Sequence, residues 1–224
     1  MYETKELSEE TWLDFERLFS RGNGWDHCWC TAFQEGRRGL TRGLRTRAEA
    51  RVVNHEFKKD LVEQGRAHGI LVYADGEPVG WCQYGSSDEL HGHHRAQIDT
   101  SQTTEKLWRV TCFVVDKKHR RKGLAGIALR AVLDAIRRQG GGLVEAYPVA
   151  SWSHGPNRAT GAVHVQGVGP VGPAWGGFGN VSTPGVVSMF EKAGFKAVGV
   201  CGSGSARVQR YGAQGCQVLM HKLV

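Results

Sequence analysis

The residues Val114-Val115-Asp116-Lys117-Lys118-His119-Arg120-Arg121-Lys122-Gly123-Leu124-Ala125-Gly126 constrain this chain more than any other stretch, because they read as an apolar strand running through a basic turn into a helix. A turn of that kind brings unpaired backbone N–H groups, the positive end of a helix dipole and several cations to one point in space. That is an anion cradle, and diphosphate is the guest its chemistry favours. Gly123 has no Cβ and so admits a phosphate oxygen to the backbone; the small Ala125 and Gly126 extend the clearance into the first helical turn, and Arg120, Arg121 and Lys122 charge the rim. The turn is neither a P-loop nor a dinucleotide fingerprint, since GxxxxGK[ST] and GxGxxG are both missing from it.

A chain of 224 residues with 40% hydrophobic content can bury a substantial core, and a single domain spanning 1–224 is expected. The first residues lack the apolar core of a signal peptide and no later apolar run is long enough to cross a bilayer, so the expectation is a soluble, cytoplasmic protein with no membrane partner. Six cysteines in that setting read as reduced thiols rather than as a disulfide framework. The formal charge of +7 suits a polyanionic ligand. Its basic residues lie in short scattered groups (Arg37-Arg38, Lys58-Lys59, 117–122) without a groove-sized stripe, so no specific nucleic-acid partner is expected.

Periodicity supplies the elements. A short strand precedes a helix over 9–18, capped at Ser8, with Trp12, Phe15, Leu18 and Phe19 at helical spacing. A second helix fits 46–64, with Ala50, Val53, Phe57, Leu61 and Val62 as its buried stripe. Residues 69–84 read as two strands joined by Ala74-Asp75-Gly76-Glu77. Strand 107–115, helix 123–139 and strand 143–147 imply a parallel pair with a crossover helix. Residues 148–183 read as a long Gly-rich loop, followed by a short helix over 185–193 and strands over 195–201 and 216–223. The fold class is α/β, a mixed and mostly antiparallel sheet flanked by helices.

With these elements in this order, the chain resembles the Gcn5-related N-acetyltransferase (GNAT) superfamily. The family signature Q/R-x-x-G-x-G/A after the fourth strand matches Arg120-Arg121-Lys122-Gly123-Leu124-Ala125, and Phe190-Glu191-Lys192-Ala193-Gly194-Phe195 looks like the family's last helix entering its sixth strand. The resemblance implies that backbone N–H groups of 121–126 bind the diphosphate of acetyl-coenzyme A, and that the strand edge at Phe113, Val114 and Val115 pairs with the pantetheine arm. It also implies direct attack by the acceptor amine on the thioester, with a backbone N–H near Val114 polarising the carbonyl. No metal is implied. The acceptor is expected to be a small-molecule amine and the enzyme a monomer or homodimer.

The pattern departs from the family at Phe190, where many members carry a tyrosine that protonates the leaving thiolate. Either another group supplies the acid, solvent does, or the chain is a non-catalytic coenzyme A or acyl-coenzyme A sensor. Glu145 and Tyr147, two apart on one strand, share a face and place a base beside a phenol, and His154 could also take a proton from an ammonium. Cys112 shares a face with Val110 and Val114 and reads as a core residue. His27-Cys28-Trp29-Cys30 and His91-Gly92-His93-His94 lack the second matching pair that a structural zinc site needs. Trp25, Trp29 and Phe33 either wall an acceptor pocket or belong to the core, and Trp152, His154, Trp175 and Phe178 either close a lid over the acceptor or sit in an insertion without a role.

Overall fold

The computed structural model describes residues 1–23, 25–37, 43–91, 105–149, 163–171, 185–201 and 217–224. Strand β1 (Tyr2–Glu6) leads into a 3-10 turn (Glu9–Thr11) and helix α1 (Trp12–Ser20), which buries Trp12, Phe15, Leu18 and Phe19. At the turn the Ser8 N–H donates to the Thr11 hydroxyl at 2.9 Å. Helix α2 (Arg47–Glu63) starts on a capping box: the Glu49 N–H donates to Thr46 Oγ1 at 3.1 Å, and the Thr46 N–H to the Glu49 carboxylate at 3.0 Å. Strands β2 (His68–Ala74) and β3 (Glu77–Ser86) form an antiparallel hairpin whose turn puts Asp75 and Gly76 at φ 50° and 79°, the left-handed pair that Asp-Gly favours.

Strand β4 (Leu107–Val115) is followed by a second 3-10 turn (Lys117–His119), helix α3 (Leu124–Arg138) and strand β5 (Leu143–Ala146). Then come β6 (Val163–Val165), β7 (Gly169–Val171), α4 (Val187–Lys192), β8 (Lys196–Cys201) and β9 (Gln217–Leu223). Seven strands make one sheet in the order β1-β2-β3-β4-β5-β9-β8. The β4–β5 pair is parallel, as a crossover helix requires, while β1–β2, β2–β3, β5–β9 and β8–β9 are antiparallel. The stretch 148–183 differs from the sequence expectation of a featureless loop, because Val163–Val165 pairs with Gly169–Val171 around Gly167 at φ 87°.

Contacts divide the chain into two compact units, Met1–His91 with Thr111–Ala135, and Gly92–Val110 with Ile136–Val224. The first has an aromatic core in which Phe15 meets Phe19 at 4.3 Å and the edge of Trp81 at 4.8 Å, and Cys112 and Val114 of β4 belong to the same cluster. Trp81 lies across Gly69, where a Cβ would meet its ring at 2.0 Å, so a side chain at 69 would displace the indole. In the second unit Gly142 is wedged: its N–H donates to the Val224 carbonyl at 3.0 Å, and the next N–H, from Leu143, goes to Lys106 at 2.9 Å. The Trp108 indole N–H donates to the Gly141 carbonyl at 2.8 Å.

The buried face of α2 differs from its expected apolar stripe. Leu61 and Val62 are buried as expected, Ala50, Val53 and Phe57 only partly, and the other buried positions are Asn54 and Lys58. Asn54 donates to the His27 carbonyl at 2.7 Å and accepts from the Thr31 hydroxyl at 2.9 Å, so it ties the segment after α1 to the helix. Hydrophobic periodicity cannot report such a position, because the side chains satisfy loop groups instead of filling space.

Candidate active site

The turn after β4 is shaped by hydrogen bonds and by backbone conformation. Asp116 donates its N–H to the Val79 carbonyl at 2.9 Å, so this edge of the strand faces β3 there. Strand alternation turns Val115 to the opposite edge, where the Val115 carbonyl accepts from Arg120 Nε at 3.3 Å. The Asp116 carboxylate caps the 3-10 turn by accepting the Lys118 N–H at 2.9 Å. Arg121 and Gly123 both take positive φ, 59° and 81°, a conformation costing a non-glycine residue about 1 kcal/mol and useful for turning successive N–H groups toward one point.

The first helical hydrogen bond of α3 runs from the Ile127 N–H to the Gly123 carbonyl at 3.1 Å. The N–H groups of Leu124, Ala125 and Gly126 therefore lie ahead of the first bond of the helical ladder. A Cβ built on Gly123 would meet nothing within 4 Å, and one on Gly126 only the Arg130 guanidinium at 3.7 Å, so the Cα faces of both glycines are uncrowded. Arg121 and Lys122 are exposed at the rim, whereas Lys117 is engaged elsewhere, donating to the Gly22 carbonyl at 2.7 Å. The cradle fits a diphosphate in conformation, clearance and charge.

Phe113 and Val114 are buried and Val115 partly so. Their strand outruns its parallel partner: the β4–β5 register starts at Leu107–Leu143 and stops at Val110–Ala146, and β4 continues to Val115. Tyr147 is the residue immediately after the last paired position. Its carbonyl accepts from Gln217 Nε2 at 2.8 Å, and the Pro148 carbonyl accepts the Val218 N–H at 2.9 Å, so the chain stays anchored to β9 beyond the end of β5.

Glu145 lies in a buried cross-strand row. The register sets it opposite Arg109 of β4 and His221 of β9. Arg109 Nε donates to Glu145 Oε1 at 2.9 Å, the Tyr147 hydroxyl donates to the same oxygen, and His221 Nε2 faces Oε2 at 3.6 Å. Burial pushes the Glu145 carboxyl up, but the donors His221, Tyr147 and Arg109 and the Arg109 charge outweigh it and hold the pKa down at about 2. A carboxylate that acidic is a strong hydrogen-bond anchor and a poor base. Arg109 and His221 carried no signal in the sequence, since only strand register brings them to Glu145. Phe190 in α4 is fully buried and packs edge-on against Phe195 at 5.0 Å. His154 lies outside the described residues, as do Trp152, Trp175 and Phe178.

Within the first unit, Trp29 is a core residue stacked on Phe19 at 5.7 Å, and Trp25 and Phe33 are partly buried. Lys58 Nζ, wholly buried, donates to Gln34 Oε1 at 3.2 Å and lies 5.7 Å from the centre of the Trp81 ring. Gln83 Nε2 donates to the same Gln34 oxygen at 2.7 Å, and the Thr111 hydroxyl of β4 donates to Gln83 Oε1 at 3.1 Å. Cys112 sits beside this chain of amides. A hydrogen bond with Cys30 and burial hold its thiol well above the ordinary range, which leaves it inert. Among the described residues no group of three or more His, Cys, Asp or Glu could hold a metal ion, and no helix is long and apolar enough to cross a membrane.

Residues 4–155 match the model of the acetyltransferase (GNAT) family. No curated protein matched by sequence. Among solved structures, the aminoglycoside acetyltransferase AAC(6')-Ib in complex with coenzyme A is similar at 14% identity and a TM-score of 0.50, covering 100% of this chain and 95% of the other. The ribosomal-protein-S18-alanine N-acetyltransferase of Escherichia coli covers 100% and 94% at 10% identity and a TM-score of 0.48. PaiA N-acetyltransferase of Thermoplasma acidophilum, with coenzyme A, covers 100% and 99% at 12% identity and a TM-score of 0.44. The cradle, the strand that outruns its parallel partner and the family match over most of the chain agree: this protein belongs to the GNAT family of acetyltransferases, acyltransferases that use acetyl-coenzyme A.

Proposed function

We propose that this enzyme transfers the acetyl group of acetyl-coenzyme A to a primary amine of a small molecule. The observation that carries the donor half is the paired positive φ at Arg121 and Gly123 opening onto clear space before α3. In this reading the N–H groups of 121–126 take the diphosphate, and Arg120, Arg121 and Lys122 neutralise its charge. The pantetheine amide adds to the edge of β4 at 113–115. A backbone N–H near Val114 polarises the thioester oxygen in this reading.

The acceptor amine loses a proton to water or to His154 and attacks the thioester carbonyl. Phe190 has no proton to give the departing sulfur, and Tyr147, fixed just past the end of the β4–β5 pairing, is the phenol assigned that task. Glu145 orients it.

Calorimetry with acetyl-coenzyme A and a thiol-release assay over small primary amines test the proposal. Gly123→Trp is expected to weaken acetyl-coenzyme A binding about 10-fold to 100-fold, the worth of one or two charge-assisted hydrogen bonds. Unchanged affinity in a folded variant rules out the cradle as the diphosphate site. Tight binding without thiol release from any amine would leave a coenzyme A sensor.

A further inference from the structure

Resting on the reading of this chain as an N-acetyltransferase, we infer that Thr111 holds the attacking amine by accepting one of its N–H hydrogens, in an orientation that the buried ammonium of Lys58 imposes through Gln34 and Gln83. The direction of this chain follows from its fixed ends. As an ammonium, Lys58 Nζ can only donate, so the Gln34 oxygen that meets it at 3.2 Å must accept. At the other side of the same amide, Gln34 Nε2 faces the Glu89 carbonyl at 3.5 Å, a group that can only accept. Gln34 is thereby held in one of its two amide orientations.

Each further link is then forced. Gln83 must turn Nε2 to the Gln34 oxygen, at 2.7 Å, which leaves Gln83 Oε1 facing Thr111 Oγ1 at 3.1 Å. An oxygen facing an oxygen needs a hydrogen between them, and only the hydroxyl carries one. Thr111 therefore commits its single proton to Gln83 and offers only lone pairs to any other group. All four side chains are buried; Thr111, at 4%, is the most exposed of them and the one that lies on β4. A methionine in place of Lys58 would fill the space without burying a charge, but would leave only the long Glu89 contact to hold the direction of the amides, so the ammonium serves orientation rather than stability.

The place of that oxygen suits the proposed reaction. The last β4–β5 register pair is Val110–Ala146, so Thr111 is the first β4 residue beyond the pairing. With the diphosphate at 121–126 and the pantetheine arm along β4 from 115 to 113, the thioester end of the donor comes nearest to 111. An attacking amine must keep its lone pair for the acyl carbon. A hydroxyl that donated would occupy that pair, whereas one that accepts an N–H steers the nitrogen and leaves the pair free. Thr111 keeps its own proton throughout. The nitrogen bonds the acyl carbon, the C–S bond breaks with its electron pair on sulfur, and the ammonium sheds two protons overall, which balance one gained by sulfur and one by solvent.

The test measures thiol release from acetyl-coenzyme A at neutral pH with a panel of small primary amines, ethanolamine, benzylamine and glycinamide among them, in wild type, Thr111→Val, Thr111→Ser and Gln83→Met. Thr111→Val keeps the shape and loses the accepting oxygen; it is expected to lower kcat/KM for the amine about 10-fold to 100-fold, the worth of one hydrogen bond from a charged group, with KM for acetyl-coenzyme A unchanged. Thr111→Ser restores the oxygen and should recover most of the rate. Gln83→Met keeps Thr111 but frees its proton to engage the amine lone pair, so kcat/KM for the amine should fall here as well. Wild-type kcat/KM in Thr111→Val or in Gln83→Met, or a serine variant as slow as the valine one, overturns the inference. If Thr111→Val does not fold, Gln83→Met decides in its place. An active wild type with a normal Thr111→Val removes Thr111 and keeps the transferase; no thiol release from wild type across the panel, with acetyl-coenzyme A bound, removes both.

Discussion

Replacing Lys58 by methionine is expected to stabilise the fold at neutral pH and to lose that advantage as the pH approaches 10.5. Lys58 is wholly buried against Phe15 and Trp81, and among the described residues it donates to Gln34 Oε1. Burial lowers its pKa from 10.5 to about 8, an effect the nearby thiols of Cys30, Cys112 and Cys28 and the Glu89 carboxylate offset only in part. The unfolded chain keeps this proton up to about pH 10.5 and the folded chain only up to about 8, so unfolding takes up a proton across that window. Stability therefore rises with pH from 8 to 10.5, and the penalty is present in full below 8. The gap of 10.5 minus about 8, at about 1.4 kcal/mol per pH unit, makes it about 3 kcal/mol.

Methionine removes that penalty and one hydrogen bond worth about 1 kcal/mol. Gln34 Oε1 still accepts from Gln83 at 2.7 Å. The net gain at pH 7 is about 2 kcal/mol, which for a chain of this length raises Tm by about 4–8 °C. Melting wild type and Lys58→Met in parallel from pH 7 to 10.5 reads the effect as a difference. The Cys82 thiol, raised by burial, loses stability with rising pH in both proteins and drops out of the difference. A difference that stays flat over this range, or a variant less stable at pH 7, refutes the buried-ammonium account.

Gly142→Ala is expected to cost roughly 3 kcal/mol or more, since its Cβ would lie 2.2 Å from the Lys106 carbonyl oxygen at φ 133°, whereas Gly140→Ala meets nothing within 4 Å and pays only for φ 95°; equal melting temperatures for the two variants contradict this. Glu145→Gln is expected to flatten the acid limb of stability. The depressed carboxyl contributes about 3 kcal/mol, present above about pH 4.5 and lost as the pH falls through about 2, so acid unfolding curves of wild type and variant should converge toward pH 2. Curves that stay parallel through that range mean that Glu145 is not held ionised.

What was legible in the sequence was what is local. The apolar spacing of α1, the Asp75-Gly76 turn and the glycines after α3 each act on neighbours a few residues away, and the helices and hairpin they announce lie within a few residues of the expected limits. The β6–β7 hairpin was hidden although Val163 and Val165 flank a Gly167 turn, because Pro170 and the surrounding glycines weaken any strand pattern. Asn54 and Lys58 were hidden because they interrupt the apolar stripe they belong to, and Arg109 and His221 because register rather than spacing delivers them.

The same distinction separates the two halves of the site. In the proposed donor site main-chain N–H groups take the diphosphate, and a main chain can be aimed only by the φ and ψ of consecutive residues, so that half would appear as an unbroken run, Arg120 to Gly126. Proton transfer needs side chains with tuned acidity, and tuning needs partners from other strands. Glu145 is held at about 2 by His221 of β9, Tyr147 just past β5 and Arg109 of β4 together, so no one segment could announce it. The proposed function accommodates Phe190 on these grounds: a catalytic hydroxyl can move from the last helix to the end of a strand while the cradle stays put, because the cradle depends on contiguity and the acid only on proximity. The Tyr147→Phe variant decides between migration and loss. Its thiol release should fall with acetyl-coenzyme A binding intact, and an unaltered rate places the acid in solvent.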